Sequence, residues 1–166
     1  MILDWSGATP HVPPYCHGYD ANGVDVGKAY RIDTETGRVR LTRLVNVADV
    51  GTPINPKIVE TQLSGAAIMQ LGFTLFEKMM FDAQGQLRNA SFAEYKIPGL
   101  LDLPDSMTSE AVVAEQKTGP YGAKGVGESG TFGVSPAIAN AIHDAVGVRL
   151  TELPLSAESV FMALKK

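Results

Sequence analysis

The chain has 166 residues, of which 45% are hydrophobic, and its formal net charge at pH 7 is −4. This composition predicts a globular protein with a core of its own, and the negative charge excludes an electrostatic mode of binding to nucleic acid or to an anionic membrane. The single cysteine, Cys16, excludes a disulfide within the chain and an iron–sulfur cluster held by several cysteines. We find neither a signal-peptide core nor an apolar run of membrane-spanning length, and we therefore expect a cytoplasmic protein.

Residues 1–23 are rich in Pro, Gly, Tyr and His and have no helical or strand periodicity. We therefore predict an extended N-terminal arm that packs on another surface, such as a neighbouring chain, and a main body over residues 24–166. His11, Cys16 and His17 are metal ligands by residue type, but they lack the paired spacing of a metal site. We expect no metal to be held by side chains of this protein.

Two strands are predicted next, at residues 24–32 and 38–47, on either side of a turn that ends in glycine. The second strand begins with apolar residues that alternate with arginines, which is the pattern of a half-buried antiparallel strand. A helix follows, with Asn55 as its N-cap and Pro56 as its first residue. Apolar residues surround it on nearly every side up to about residue 78, so we expect it to be buried nearly all round.

The second half of the chain supplies the remaining elements. Gln70, inside the apolar helix, must find hydrogen-bond partners, and we expect neighbouring loop carbonyls to provide them. A hairpin is predicted at 80–92 and a short strand at 111–114. A helix at 136–146 is predicted next, with Ser135 as its N-cap and Gly147 as its stop, and we expect His143 in its last turn to be structural. A final helix is predicted at 157–164, capped by Ser156. Together these elements predict an α+β fold, with antiparallel hairpins packed against a long buried helix and two C-terminal helices.

The most distinctive stretch is the loop at residues 118–136, which contains six glycines and a single carboxylate, Glu128. Successive backbone N–H groups in such a loop form an anion-binding concavity, to which Lys124 adds a cation. Residues 125–130 match the dinucleotide-binding pattern in letters only, because no strand directly precedes them and the next helix begins about six residues too late. From the residues alone, two interpretations stay open: a loop that cradles an anionic ligand beside an acid, and a glycine-rich surface connection.

Residues 122–128, Gly-Ala-Lys-Gly-Val-Gly-Glu, resemble the active-site loop of the molybdenum hydroxylases. That family contains xanthine dehydrogenase, aldehyde oxidase and the large subunit of aerobic carbon monoxide dehydrogenase. A second match lies at residues 49–56, Asp-Val-Gly-Thr-Pro-Ile-Asn-Pro, and is followed by Gln62 and Gly65 on the predicted helix. The two motifs occur in the family's order and at about its spacing. The resemblance covers residues 24–166, as the C-terminal portion of a molybdenum-cofactor-binding domain.

This resemblance implies a bound molybdopterin, the molybdenum cofactor, in its cytosine dinucleotide form, with the metal held by the pterin and not by protein side chains. It also implies an oxidoreductase that hydroxylates an aldehyde or an N-heterocycle, or oxidises carbon monoxide, by means of a metal-bound hydroxide. Glu128 matches the catalytic base. The residues that match cofactor-binding positions are Asp49, Ile54, Asn55, Gln62, Lys124, Gly125, Val126 and Gly127.

The resemblance further implies partners. The remaining molybdopterin-binding chain, an iron–sulfur subunit and a flavin subunit with FAD would complete the enzyme, and a small molecule is the expected substrate. The isolated chain is then expected to be inactive and to self-associate through exposed apolar surface. The rival interpretation is a non-catalytic assembly or nucleotide-binding module that uses the glycine-rich loop to hold an anion.

Overall fold

The computed structural model describes residues 30–165 in full and the backbone of residues 17–19 and 25–28. The interpretation of residues 1–23 as an arm, and the side chains of His11, Cys16 and His17, lie outside the described residues. None of the helices in this described part is both long and apolar enough to cross a lipid bilayer.

Two antiparallel strand pairs come first. Strand β1 (His17–Tyr19) pairs with β2 (Asp25–Lys28), and β3 (Tyr30–Ile32) pairs with β4 (Val39–Leu41). The predicted turn is confirmed at residues 33–37, where the N–H of Gly37 donates to the Asp33 carbonyl at 2.7 Å. The alternating segment therefore forms a hairpin, as its pattern indicates.

The predicted strand at 38–47 is in fact two strands with different partners. After a bend at Thr42, strand β5 (Arg43–Asp49) leaves the hairpin and pairs in parallel with β6 (Ser106–Val112). The strand predicted at 111–114 thus begins five residues earlier than expected, because its Ser- and Thr-rich start lacks apolar alternation. This parallel pair, β5 and β6, packs against the next helix.

Helix α1 (Pro56–Leu75) begins as predicted: the Asn55 side chain accepts a hydrogen bond from the Ile58 N–H at 3.2 Å. It ends three residues before the predicted limit, where the N–H groups of Phe76 and Glu77 both donate to the Gly72 carbonyl at 2.9 Å.

The prediction that α1 is buried nearly all round is wrong. One face carries an exposed stripe that recurs at helical spacing, formed by Ile58, Gln62, Gly65, Met69 and Phe73. The opposite face is buried, and residue type alone did not reveal which apolar side chains belong to which face.

Two further helices complete the fold. Helix α2 (Val134–Val146) begins two residues before its predicted start, with Gly133 in place of Ser135 as the N-cap, and ends at Gly147 in the left-handed conformation, as predicted. Helix α3 (Ala157–Leu164) is capped as predicted, since the Ser156 hydroxyl accepts from the Ser159 N–H at 3.1 Å. His143 lies in the last turn of α2, with its ring Nδ1 buried.

The predicted hairpin near residue 82 is reduced to a single bridge between Phe81 and Leu87.

The main core lies where α1, α2 and α3 meet the β3–β4 hairpin and β5. Its buried members are Tyr30, Leu41, Leu44, Ala67, Leu71, Leu75, Val134, Ile138, Ala141, Ile142, Leu155 and Val160. The architecture is α+β, as predicted, and the first half of α1 extends past this core beside the glycine-rich loop.

Candidate functional site

The fold brings the two sequence motifs together at the end of β5. Gly51 forms a β-bridge with Ala123, and the Thr52 N–H donates to the Gly122 carbonyl at 2.8 Å. The Lys124 N–H donates in return to the Val50 carbonyl at 3.0 Å. Residues 49–52 and 122–124, which are 70 or more positions apart in the sequence, therefore form one piece of backbone structure.

An ion pair reinforces this junction. The Lys124 ammonium contacts the Asp49 carboxylate, and the same carboxylate accepts a hydrogen bond from the Gly51 N–H at 2.9 Å. The hydrogen bond from Lys124 holds the pKa of Asp49 below its usual value, and the bond from Gly51 adds to the effect. The Asp49 carboxylate therefore stays ionised, and the Lys124 ammonium is directed toward it.

The turn that carries Glu128 is attached to α1. Gln62 donates from its side-chain amide to the Gly127 carbonyl at 2.7 Å. Thr131 donates to the Glu128 carbonyl from both its N–H, at 2.9 Å, and its hydroxyl, at 2.8 Å. The peptide units on both sides of Glu128 are thus fixed. Its side chain is exposed and makes no hydrogen bond or ion pair with any described residue.

The loop before Glu128 offers donors to a ligand. No backbone N–H of residues 125–129 donates a hydrogen bond within the part of the chain that the structure describes. A Cβ added at Gly125 or Gly127 would meet no atom within 4 Å, and the same is true of Gly65 on the exposed stripe of α1. A row of unpaired N–H groups beside open space suits the anionic tail of a nucleotide-bearing cofactor, and in this respect the residues fit molybdopterin.

Ile54 and Asn55 lie directly before α1. Ile54 is 68% exposed, and the Asn55 side chain caps the helix. Neither forms a hydrogen bond with the glycine-rich loop among the residues described. Their predicted contacts with the cofactor stay predictions.

Sequence reasoning missed Asn46 and the importance of Gly130. Asn46 on β5 is 0% exposed, and its amide donates to the Leu63 carbonyl on α1 at 3.0 Å and, over a longer 3.4 Å, to the Gly130 carbonyl. Its position was detectable in principle, because alternation from Leu44 places residue 46 on the same buried face of the strand. A polar residue at such a position needs partners, and these partners are backbone groups of α1 and the loop.

Gln70 has a partner other than the one predicted. Its amide donates to the Ser135 hydroxyl at 2.6 Å, whereas Gln62 is the glutamine that bonds a loop carbonyl. The Thr74 hydroxyl donates to the Gln70 carbonyl at 2.6 Å and lies 2.7 Å from the Ser135 hydroxyl. Ser135 therefore ties α2 to α1 and does not cap its own helix.

Two cavities formed by described residues lie away from the two motifs. One of about 690 Å³ is formed by β4, the end of α1 and the start of α3, and one of about 520 Å³ lies against Phe92 and Tyr95. Among the described residues, no group of three or more His, Cys, Asp and Glu side chains is placed to hold a metal ion. The candidate site is thus a surface region of the described chain, formed by residues 49–55, the exposed stripe of α1 and residues 122–131.

A family model for the molybdopterin cofactor-binding domain matches residues 8–104, which include the upstream motif and all of α1. The chain belongs to this family. The finding confirms the resemblance drawn from the two motifs, and with it the binding of a molybdopterin cofactor as the family's property.

Curated relatives extend the match through the glycine-rich loop. The probable hypoxanthine oxidase XdhD of Escherichia coli K12 is 35% identical over 154 residues, which is 93% of this chain and 16% of the relative. The aldehyde oxidoreductase molybdenum-binding subunit PaoC of the same organism is 35% identical over 138 residues, which is 82% of this chain and 18% of PaoC. The chain thus spans less than a fifth of the length of either relative, and the name of PaoC marks it as one subunit of an enzyme.

Solved structures agree with the fold. Quinoline 2-oxidoreductase from Pseudomonas putida 86 superposes with a TM-score of 0.76 at 32% identity, over 82% of this chain and 18% of that one. The aldehyde oxidoreductase from Desulfovibrio gigas gives 0.75 at 30% identity, over 82% and 15%. Most of this chain therefore has the fold of the corresponding part of these molybdenum hydroxylases.

Proposed function

We propose that this chain supplies the C-terminal cofactor-binding portion of a molybdenum hydroxylase and carries its catalytic base, Glu128. The observation that carries the proposal is the junction of the two motifs: the backbone pairing of 49–52 with 122–124, and the bond from Gln62 to the Gly127 carbonyl. Residues brought together in this way from distant parts of the chain are suited to contact one ligand.

We assign cofactor binding to the loop at residues 125–129, whose backbone N–H groups are unpaired among the described residues, and to its neighbours. Gly125, Val126 and Gly127 would donate from their backbone to the anionic tail, for which we propose the cytosine dinucleotide form of the cofactor. The Lys124–Asp49 pair would fix the start of this segment, and Ile54, Asn55 and Gln62 would border it at the head of α1. Since the donors are backbone groups, glycine at 125 and 127 permits close approach of the ligand.

Glu128 would accept the proton released as substrate is oxidised. Glu128 is exposed on a turn that Gln62 of the exposed stripe contacts, and the hydrogen bonds on both flanking peptide units fix the backbone from which its carboxylate projects. A base must be held within hydrogen-bond reach of the proton that it abstracts, and a fixed turn supports this by limiting the positions that the side chain can reach. When bound, the cofactor supplies the oxygen-transfer and two-electron chemistry. An aldehyde, an N-heterocycle or carbon monoxide is the proposed substrate.

Partner chains would complete the enzyme. We propose the remaining part of the molybdopterin-binding chain, an iron–sulfur subunit and a flavin subunit with FAD, in a cytoplasmic assembly. Exposed apolar side chains support this, since Ile54 and Ile58 are 68% and 65% exposed at the border of the site. Large exposed apolar patches mark interaction surfaces, and without partners they would promote self-association.

The test is to produce the chain with its partners and to measure metal and nucleotide content, then to replace the base by an isostere. We expect molybdenum and a cytosine nucleotide in the complex. Glu128→Gln should lower turnover by about 10²- to 10⁴-fold, because general-base catalysis contributes that much, while cofactor content stays the same. Undiminished turnover would refute the role of Glu128. A bound nucleotide without molybdenum would favour the assembly or nucleotide-binding module.

A further inference from the structure

The turn around Glu128 is held to the rest of the protein by two side-chain amides. Gln62 on α1 donates to the Gly127 carbonyl at 2.7 Å, directly before the acid. Asn46 on β5 donates to the Gly130 carbonyl at 3.4 Å, two residues after it. We call this pair of contacts the amide clasp.

The inner contact of the clasp allows little movement. Asn46 is 0% exposed and also donates to the Leu63 carbonyl at 3.0 Å, so its amide joins β5, α1 and the loop. Gly130 is itself buried, and a Cβ there would lie 2.5 Å from the Leu63 carbonyl oxygen and 2.8 Å from the Asn46 amide nitrogen. The backbone of the turn therefore reaches α1 only because residue 130 has no side chain.

The outer contact is exposed and separable from the core. Gln62 lies on the exposed stripe of α1, and its amide reaches one loop carbonyl. Directly after the inner contact, Thr131 closes the turn by donating twice to the Glu128 carbonyl. Glu128 thus lies on a short closed turn. Hydrogen bonds from Gln62 on α1 and Asn46 on β5 hold its two ends.

We propose that Gln62 and Asn46 are positioning residues that hold the Glu128 turn against α1. The proposal rests on the proposed function, because it takes Glu128 as the group to be positioned. It assigns Asn46 a role that no sequence motif indicates, and it gives Gln62 a role toward the loop in addition to its expected place beside the cofactor. Neither residue needs to touch substrate.

The first experiment tests whether the two contacts of the amide clasp exist, and it requires neither bound cofactor nor enzymatic activity. The chain is assembled with its partners in the absence of molybdenum, and hydrogen exchange is measured at the Thr131 N–H, which is bonded to the Glu128 carbonyl. Gln62→Met removes the outer contact while keeping side-chain length. We expect roughly fivefold faster exchange at Thr131, the effect of one ordinary hydrogen bond, with an unchanged denaturation midpoint. Asn46→Leu should increase exchange in the same place.

Gln70→Met is the matched control. It removes the same kind of amide from the same helix, but that amide bonds Ser135 on α2, outside the turn. Exchange at Thr131 should stay at the wild-type rate in this variant. An unchanged rate at Thr131 in Gln62→Met would overturn the clasp, and an equal increase in Gln70→Met would replace it by a general loosening of α1 against α2.

The second experiment tests positioning in the loaded enzyme. Asn46→Leu, at a residue that is not assigned to cofactor binding, should lower kcat, with KM and molybdenum content close to wild type, because a misplaced base slows chemistry without weakening substrate binding. Faster exchange with an unchanged kcat would overturn the positioning role. If the complex proved to lack molybdenum, the proposed function would fail, while the exchange measurements on the metal-free complex would still decide whether the clasp exists.

Discussion

The two halves of helix α1 contact different parts of the chain: the second half packs against helix α2, and the first half lies beside the glycine-rich loop. The second half buries Leu71, Thr74 and Leu75 against α2 and the terminal core. The first half leaves Ile58 and Gln62 exposed and meets the loop through an amide and a carbonyl. The second half therefore contributes more to the core, whereas the first half keeps polar groups and open backbone available to a ligand.

This difference follows from what each half faces. Apolar side chains that pack against α2 are removed from water, and each contributes to the free energy of unfolding. The loop beside the first half offers mainly backbone, because glycines leave few side chains to pack. Contact there must use hydrogen bonds. The backbone N–H groups of the loop that remain unpaired are then free to bind a ligand.

The largest expected effect contrasts a buried residue of the second half with an exposed residue of the first. Leu71 is 0% exposed, and Leu71→Ala should lower the free energy of unfolding by about 2–5 kcal/mol, the cost of a buried leucine truncation. Ile58→Ala, on the exposed stripe, should change it by less than about 0.5 kcal/mol. Denaturant unfolding of both variants measures the contrast. Equal losses would mean that the stripe is packed and that the comparison is wrong.

The next effect concerns the close approach of the loop to α1. Gly130→Ala places a Cβ 2.5 Å from the Leu63 carbonyl and 2.9 Å from the Ala66 Cβ, so the loop must shift at a cost of about 1–3 kcal/mol. Gly125→Ala is the control, because its Cβ would meet nothing within 4 Å. Thermal unfolding measures both. A neutral Gly130→Ala would show that the turn is not seated against α1.

A smaller effect is expected from two threonines on α1 that make similar hydrogen bonds. Thr74 is buried, and its hydroxyl meets the Gln70 carbonyl and the Ser135 hydroxyl. Thr74→Val should cost about 1 kcal/mol, since it removes one buried hydrogen-bonding group. Thr61→Val removes an exposed hydroxyl bonded to the Lys57 carbonyl at 2.8 Å and should cost close to nothing. Matching losses in chemical denaturation would contradict the contrast between the halves.

Local signals predicted much of this fold because they depend on neighbouring residues. Asn55 and Ser156 as caps and Gly147 as a stop were all readable from short windows. The pairing of β5 with β6 was not, because it joins segments about 60 positions apart and β6 begins with polar residues. The N-cap of α2 was also predicted wrongly because of a contact that is distant in sequence: the Ser135 hydroxyl accepts a hydrogen bond from Gln70.

The site divides in a similar way. The two motifs identified the family, and the structure joins them, but the bond from Gln62 to Gly127 and the buried Asn46 depend on how α1 lies against the loop. Periodicity predicted an apolar helix without indicating which face stays exposed. That choice is made by tertiary packing, which a single sequence does not encode in any short pattern.

The smallest expected effect is the pH dependence of the Asp49–Lys124 pair. Lys124 lowers the pKa of Asp49 in the folded chain, so the pair contributes stability above the ordinary carboxyl pKa of about 3.9. This contribution is lost as the pH falls through the lowered pKa, so the relevant window lies below about pH 4. Lys124→Met should return the pKa of Asp49 toward its ordinary value, measurable by NMR titration of the carboxyl carbon. Because the pair is exposed, the effect on stability should be small and should shrink further in high salt. A pKa of Asp49 that does not rise in Lys124→Met would show that the Gly51 N–H alone holds the carboxylate, and the junction between the motifs would then rest on its backbone pairing.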